Sequence, residues 1–303
     1  MKGIVVKIIS FEYYVRDLNT HEIVLCRGRG KLKRDGDIFV GDSVEYKWIK
    51  NDEYTIESIY PRKSSLIRPY VANIDLNIIV LAPVPKPDFL LADKLVINSI
   101  KNDIKPVICI NKLDMISQEE AKVWAAQYPG IDNIFVSALA GEGIEELIEF
   151  MRGKLSCFSG QSAVGKTSIL NTITGSNYAV GSLSKIERGK HTTRHTEIYE
   201  IAQDTYVVDT CGFSLLELDT ESSKLRLYYP KYVELSGGCK FNGCTHTIEP
   251  DCAIAAEVKS GNLSPERYER YIQLCKTAEY NEKIKNKKEK LWNKKNKRDK
   301  KNG

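Results

Sequence analysis

The sequence predicts a multidomain chain: a small N-terminal β-barrel, a central α/β domain built on a parallel sheet, and a mainly helical C-terminal module rich in Cys and His. Three observations carry this reading. Residues 1–68 alternate apolar and polar positions in short runs parted by Gly, Asp and Asn; from residue 73 apolar strand runs alternate with helical stretches; and three of the eight cysteines fall within fourteen residues beside His246. A chain of 303 residues has room for two or three such domains. With 42% apolar and 28% charged residues it is neither collagen-like nor wholly disordered. The longest apolar stretch, Ile74 to Val84, is too short to cross a bilayer and carries Asp75 and Asn77. The N-terminus, MKGIVVKIISFEYYVRD, lacks an apolar stretch followed by a small-residue cleavage site, so a cytoplasmic protein is expected.

The barrel (residues 1–68) rests on runs such as Gly3-Ile4-Val5-Val6-Lys7-Ile8 and Ser43-Val44-Glu45-Tyr46-Lys47-Trp48, about five strands in all. Its basic segment, Arg27-Gly28-Arg29-Gly30-Lys31-Leu32-Lys33-Arg34, suits either a phosphate grip or a loop that keeps the barrel soluble. In the α/β domain (residues 69–230), strands are expected at Leu76–Ala82, Lys105–Ile110, Asn133–Val136 and Leu155–Phe158. Helices are expected near 89–101, 117–128 and 143–151, and two further β runs at Glu197–Ile201 and Tyr206–Val208.

The strongest motif is Gly160-Gln161-Ser162-Ala163-Val164-Gly165-Lys166-Thr167-Ser168, which fits G-x-x-x-x-G-K-[ST] between an apolar strand and a helical run. Glycines let the backbone wrap phosphates with its N–H groups inward, and the helix N-terminus adds a favourable dipole. Lys166 would bridge the β- and γ-phosphates, and the Thr167 hydroxyl would bind magnesium. Asn111-Lys112-Leu113-Asp114 follows the strand ending at Ile110 and fits N-K-x-D, the guanine-reading motif. The chemistry is hydrogen-bond matching: an Asp carboxylate accepts from N1–H and the exocyclic amine of guanine, and adenine offers neither in that arrangement. Ser137-Ala138-Leu139 resembles the loop that supports the base through a backbone N–H. Asp209-Thr210-Cys211-Gly212 fits D-x-x-G, with Asp209 holding magnesium through water and the Gly212 N–H meeting the γ-phosphate. Upstream, Gly189-Lys190-His191-Thr192-Thr193-Arg194 offers Thr192 or Thr193 as the switch residue that senses the γ-phosphate; spacing does not choose between them.

The order of these motifs is unusual. In ordinary small GTPases the phosphate loop precedes N-K-x-D; here the chain runs base-reading, phosphate loop, switch, D-x-x-G. A parallel sheet tolerates this, because ligands bind at the carboxyl ends of strands however the chain visits them. The sequence therefore predicts a circularly permuted GTPase domain. D-x-x-G now leads within thirty residues to the Cys/His module, so nucleotide state could move that module.

The module (residues 231–280) reads Cys239-x4-Cys244-x-His246-x5-Cys252, three thiolates and an imidazole for one four-coordinate structural zinc with no position left for catalytic water. Two helical segments follow. The second opens with Ser264-Pro265 and repeats Tyr268, Tyr271, Ile272 and Cys275 on one face. Residues 281–303 carry a net charge of +8 and leave the rest at −3, so the tail reads as a poorly ordered polycation suited to nucleic acid. Nothing resembles a heptad seam, and a monomer is expected.

Together these motifs resemble the RsgA family (also YloQ or YjeQ), bacterial circularly permuted GTPases that assist late maturation of the small ribosomal subunit. The resemblance spans nearly the whole chain: the barrel, which it identifies as OB-like, Arg68-Pro69 and Ala72-Asn73-Ile74-Asp75, Gly160-Gln161-Ser162, Lys190-His191-Thr192-Thr193, and Cys-Lys-Phe-x-x-Cys-x-His from Cys239 to His246. It implies GTP hydrolysis coupled to binding of the small subunit and its rRNA. Two departures stand out. Cys211 replaces the usual Pro of D-T-P-G, and Phe213 follows Gly212 where many small GTPases carry a water-orienting Gln. Hydrolysis by the protein alone is therefore expected to be slow, with His191 or a ribosomal group orienting the water once the subunit is bound. An RNA-binding adaptor with a structural nucleotide site is the alternative, opposed by intact Lys166, Thr167 and Asp209. An ATP-using P-loop kinase or transport ATPase is opposed by the N-K-x-D motif.

Overall fold

A computed structural model describes residues 1–28, 38–50, 53–67, 70–175, 196–209 and 220–299. The alternating N-terminal runs form β1 (Lys2–Ile9), β2 (Glu12–Asp17), β3 (Ile23–Gly28), β4 (Ser43–Lys50) and β5 (Glu53–Ile59). These pair in the order β1-β2-β3-β5-β4, and β4 returns to β1 to close the barrel. Only the β3–β5 pair is parallel among them, as in a five-stranded Greek-key barrel of OB type. Val5, Val15, Cys26, Val44, Tyr46 and Ile56 fill the interior. The Tyr46 hydroxyl, inside this core, donates to Asp17 at 2.5 Å, and the other oxygen of that carboxylate caps the following turn through Asn19 N and Thr20 N. Of the basic segment, residues 29–34 lie outside the described residues.

After the short hairpin β6 (Ser65–Ile67) and β7 (Tyr70–Ala72), the chain enters the second sheet. Its strands are β8 (Leu76–Leu81), β9 (Lys105–Ile110), β10 (Asp132–Phe135), β11 (Leu155–Ser159), β12 (Glu197–Ala202) and β13 (Thr205–Asp209). The helices are α1 (Phe89–Lys101), α2 (Gln118–Ala126), α3 (Ile144–Met151) and α4 (Lys166–Gly175). The spatial order is β10-β9-β8-β11-β13-β12, parallel except for β12. The chain enters this sheet at β8, in its interior, and reaches the glycine-rich loop only at its fourth strand, so the circular permutation is physical as well as sequential. β8 is buried along its whole length, which explains the unbroken apolar run. Its one polar side chain, Asn77, is satisfied by Ser99 Oγ at 2.8 Å and Ser159 Oγ at 2.7 Å, which ties β8 to α1 and β11.

The barrel and this sheet share one unit, Met1–Ala125 with Ile131–Leu216. β1 pairs with β12 at Lys7 and Glu197, and the ion pairs Lys7–Glu197 (2.8 Å) and Arg16–Glu200 (2.5 Å) flank the junction. The β1–β12 pair thus joins the barrel to the central sheet.

The second unit, Ala126–Gly130 with Glu217–Gly303, holds a 3-10 turn (Ser222–Tyr228), α5 (Pro230–Leu235), α6 (Ala253–Lys259) and α7 (Pro265–Asp299). The 3-10 turn is tied to α7 by the Ser222 N–H, which donates to the Glu282 carboxylate at 2.5 Å. Tyr229, Tyr232 and Tyr271 pack ring on ring at 4.9 to 5.2 Å. The tail departs from expectation. Residues 281–299, read as poorly ordered, continue α7 without a break. The run from 265 holds no Gly and no Pro beyond its first residue, and the packed turns before 281 remove the nucleation step that makes an isolated charged helix marginal.

Candidate functional site

The carboxyl ends of β8, β9, β10, β11 and β13 lie along one edge of the sheet, as the parallel registers require. The glycine-rich loop, Asn111–Asp114, Ser137–Ala138 and the end of β13 sit there. Residues 160–165 connect β11 to α4, and two positions demand glycine. Gly160 has φ +130° and a Cβ there would lie 2.4 Å from Val80 O; Gly165 has φ +98° and a Cβ would lie 2.3 Å from Asn111 Nδ2. Lys166 opens α4 and its ammonium reaches back to Gly160 O (2.9 Å) and Gln161 O (2.7 Å), which holds the cation over the loop. Burial lowers its pKa, so an anion at the loop mouth would be matched by a poorly hydrated positive charge. Thr167 and Ser168 are exposed in the first turn of α4.

Asn111 is the residue whose importance the motif alone conceals. It is 1% exposed, its Nδ2 donates to Val164 O at 2.9 Å, and its Oδ1 accepts from Ala138 N at 3.1 Å. One side chain thus joins the loop after β9 to the glycine-rich loop and to the loop after β10. Lys112, in a left-handed conformation (φ 64°), reinforces this by donating to Ala163 O (3.0 Å) and Val84 O (2.6 Å). Thr172 in α4 donates to Ala138 O at 3.0 Å. Leu113 and Asp114 begin a 3-10 turn, and the buried Ser137 hydroxyl donates to Asp114 Oδ1 at 2.5 Å, which fixes the carboxylate while leaving its second oxygen to accept. The partners are 53 and 27 residues from Asn111, and no local signal in the sequence announces them.

Asp209 ends β13, whose register sets Val208 beside Cys157 of β11, so its backbone reaches the sheet edge next to the glycine-rich loop. The remaining switch positions, His191, Thr192, Thr193 and Gly212, lie outside the described residues, as do Cys211 and Phe213.

In the second unit, Cys239, Cys244, His246 and Cys252 bring four ligand atoms within 4.8 Å of one another. The Cys239 and Cys252 sulfurs lie 3.6 and 3.4 Å from His246 Nδ1. A tetrahedral ion with metal–sulfur distances of about 2.3 Å and metal–nitrogen of about 2.0–2.1 Å requires roughly 3.5 Å between sulfur and nitrogen, so the donor set fits. Burial pushes the Cys244 thiol up to about 12, a penalty that a divalent cation would reverse. The loop is shaped from outside the ligand set: Glu249 accepts from Thr245 N and Oγ1 (2.6 Å each) and Thr247 N (3.0 Å). Burial opposes its charge, but these hydrogen bonds outweigh it and hold the carboxyl at about 2. Tyr268 donates to His246 O at 3.0 Å, and Tyr271 to Thr245 O.

Among the described residues, no helix is long and apolar enough to cross a membrane. Residues 59–219 match the RsgA GTPase family and residues 2–56 the RsgA N-terminal domain. A relative from Caldanaerobacter subterraneus subsp. tengcongensis, named small ribosomal subunit biogenesis GTPase RsgA, is 40% identical and covers 93% of this chain and 97% of its own. The protein of the same name from Ruminiclostridium cellulolyticum is 41% identical, with 90% and 92% covered. The crystal structure of YjeQ from Thermotoga maritima superposes with a TM-score of 0.79 at 34% identity, covering 91% of this chain and 98% of that one. That of YloQ, described as a circularly permuted GTPase, gives 0.79 at 31% identity, with 92% and 95% covered.

Proposed function

The chain belongs to the RsgA GTPase family, and from that premise we propose that it binds the small ribosomal subunit and its rRNA, assists late maturation of the subunit, and uses GTP hydrolysis to drive its release. The observation that carries this reading is the stitching of the base loop to the phosphate loop by Asn111, in a sheet entered at β8. That stitching supports reading the Asp114 carboxylate and the glycine-rich loop as parts of one site.

In this reading Asp114 accepts from N1–H and the amine of guanine, backed by Ser137 and Ala138. The backbone of residues 160–165, with Ser162, Ala163 and Val164 between the two glycines, wraps the phosphates, and Lys166 neutralises the β- and γ-oxygens. Thr167 and Asp209 would hold magnesium, which supplies charge neutralisation between the terminal phosphates when bound. Thr192 or Thr193 and the Gly212 N–H sense the γ-phosphate. Phe213 cannot orient water, so turnover is slow until the subunit is bound, and His191 is the candidate for that task on this chain. Cys239, Cys244, His246 and Cys252 would hold one zinc ion, whose full protein ligation makes it structural. The protein acts as a cytoplasmic monomer.

Co-sedimentation tests the cycle. With a non-hydrolysable GTP analogue the chain pellets with small subunits, and with GDP it stays in the supernatant. Equal pelleting in both states would favour the adaptor reading instead.

A further inference from the structure

The helical continuation of α7 organises the tail charge in a way that a disordered tail would not. At about 100° per residue, Lys283, Lys287, Lys290, Lys294 and Lys297, spaced three or four residues apart, and Arg298 beside the last of them fall on one face in a stripe about 100° wide. At 1.5 Å per residue the stripe is about 22 Å long, with a cation at nearly every turn. The three acids of this stretch, Glu282, Glu289 and Asp299, all fall away from it. Lys283 and Lys287 are exposed, and so is the neighbouring Lys288.

We propose that this stripe is a docking face for duplex RNA, laid along the phosphates of one strand. The proposal rests on the ribosomal reading above for the identity of the polyanion. Charge complementarity supports it directly: one strand of a nucleic-acid duplex offers a phosphate about every 3.4 Å of axis, so the 22 Å row of cations faces about six phosphates of that strand. A lipid surface is the poorer match. A helix lying in a membrane interface needs a broad apolar face opposite its basic one, and the far face here carries Lys285, Glu289 and Asn296 around a single Trp292.

The test compares two full-length variants of equal charge. One removes three cations from the stripe (Lys287→Gln, Lys290→Gln, Lys294→Gln) and the other removes three from elsewhere on the helix (Lys285→Gln, Lys288→Gln, Lys295→Gln). Gln keeps the helix propensity of Lys, and circular dichroism checks the helix content. Affinity for a labelled 20-base-pair RNA duplex is measured by anisotropy between 50 and 200 mM KCl. The stripe variant loses about 2 to 3 from the slope of log affinity against log salt. The native chain's advantage over it therefore shrinks about 16- to 64-fold across that range, while the off-stripe variant moves by less than one slope unit. Equal losses in both variants, or none in either, would overturn the stripe. So would an effect seen only on vesicles containing 30% phosphatidylserine. GTP turnover with small subunits, measured on the same variants, reports on the ribosomal reading separately, because no substituted residue belongs to the nucleotide site.

Discussion

Replacing Asn111 with Ala probes the joint between the two halves of the nucleotide site. The side chain is 1% exposed and makes one hydrogen bond to Val164 O and one from Ala138 N. Its loss leaves a buried carbonyl and a half-buried N–H without partners. An orphaned buried polar group costs about 1–3 kcal/mol; with Val164 fully enclosed and Ala138 partly hydrated, the sum is about 2–4 kcal/mol. At a urea slope of roughly 2–3 kcal/mol per molar, the unfolding midpoint falls by about 1 M. GTP affinity drops at least about tenfold as well, because the glycine-rich loop is no longer held against the base loop before the ligand arrives. Urea unfolding followed by tryptophan fluorescence, and titration with a fluorescent GTP analogue, read the two effects. A midpoint unchanged within 0.2 M together with unchanged affinity would refute the reasoning, since neither bond would then matter.

Gly165→Ala forces a Cβ to within 2.3 Å of Asn111 Nδ2 at φ +98°, so it weakens nucleotide binding by about tenfold or more in the same titration. Asp114→Asn puts a donor where guanine also donates and lowers the preference for GTP over ATP at least about 100-fold in a competition assay. Glu249→Ala removes the anchor of the Thr245 to Thr247 loop and weakens metal retention about 10- to 100-fold in a chelator competition, although it touches no ligand atom. In the barrel, the Tyr46 hydroxyl holds the Asp17 carboxyl below its ordinary 3.8. That carboxylate therefore contributes stability fully above about pH 3.8 and loses it as pH falls through its lower folded value. Tyr46→Phe removes much of this contribution, so native and variant midpoints, well apart at pH 7, converge in acid.

Much of the fold was legible because the signals were local. The apolar runs at 76–82, 105–110 and 155–158 became β8, β9 and β11 almost residue for residue, since a strand buried on both faces must be apolar throughout. The Cys/His spacing announced its cluster for a similar reason: four soft ligands so close in sequence have few other uses. What the sequence concealed was long-range. The role of Asn111 depends on partners in two other loops, and the β1–β12 junction joins strands 190 residues apart at Lys7 and Glu197. The tail was misjudged for a different reason. Charge density suggested disorder, yet helix propensity and the packed turns before residue 281 decide the matter, and the absence of Gly and Pro was the available clue.

The central claim is that one guanine-selective site hydrolyses GTP in response to the small subunit. Phosphate release from GTP and from ATP, each with and without purified small ribosomal subunits and with Lys166→Ala as the blank, tests it most directly. The account predicts a slow, GTP-only rate that rises steeply with subunits and vanishes in the Lys166→Ala protein. A rate indifferent to subunits, or one that prefers ATP, would contradict it.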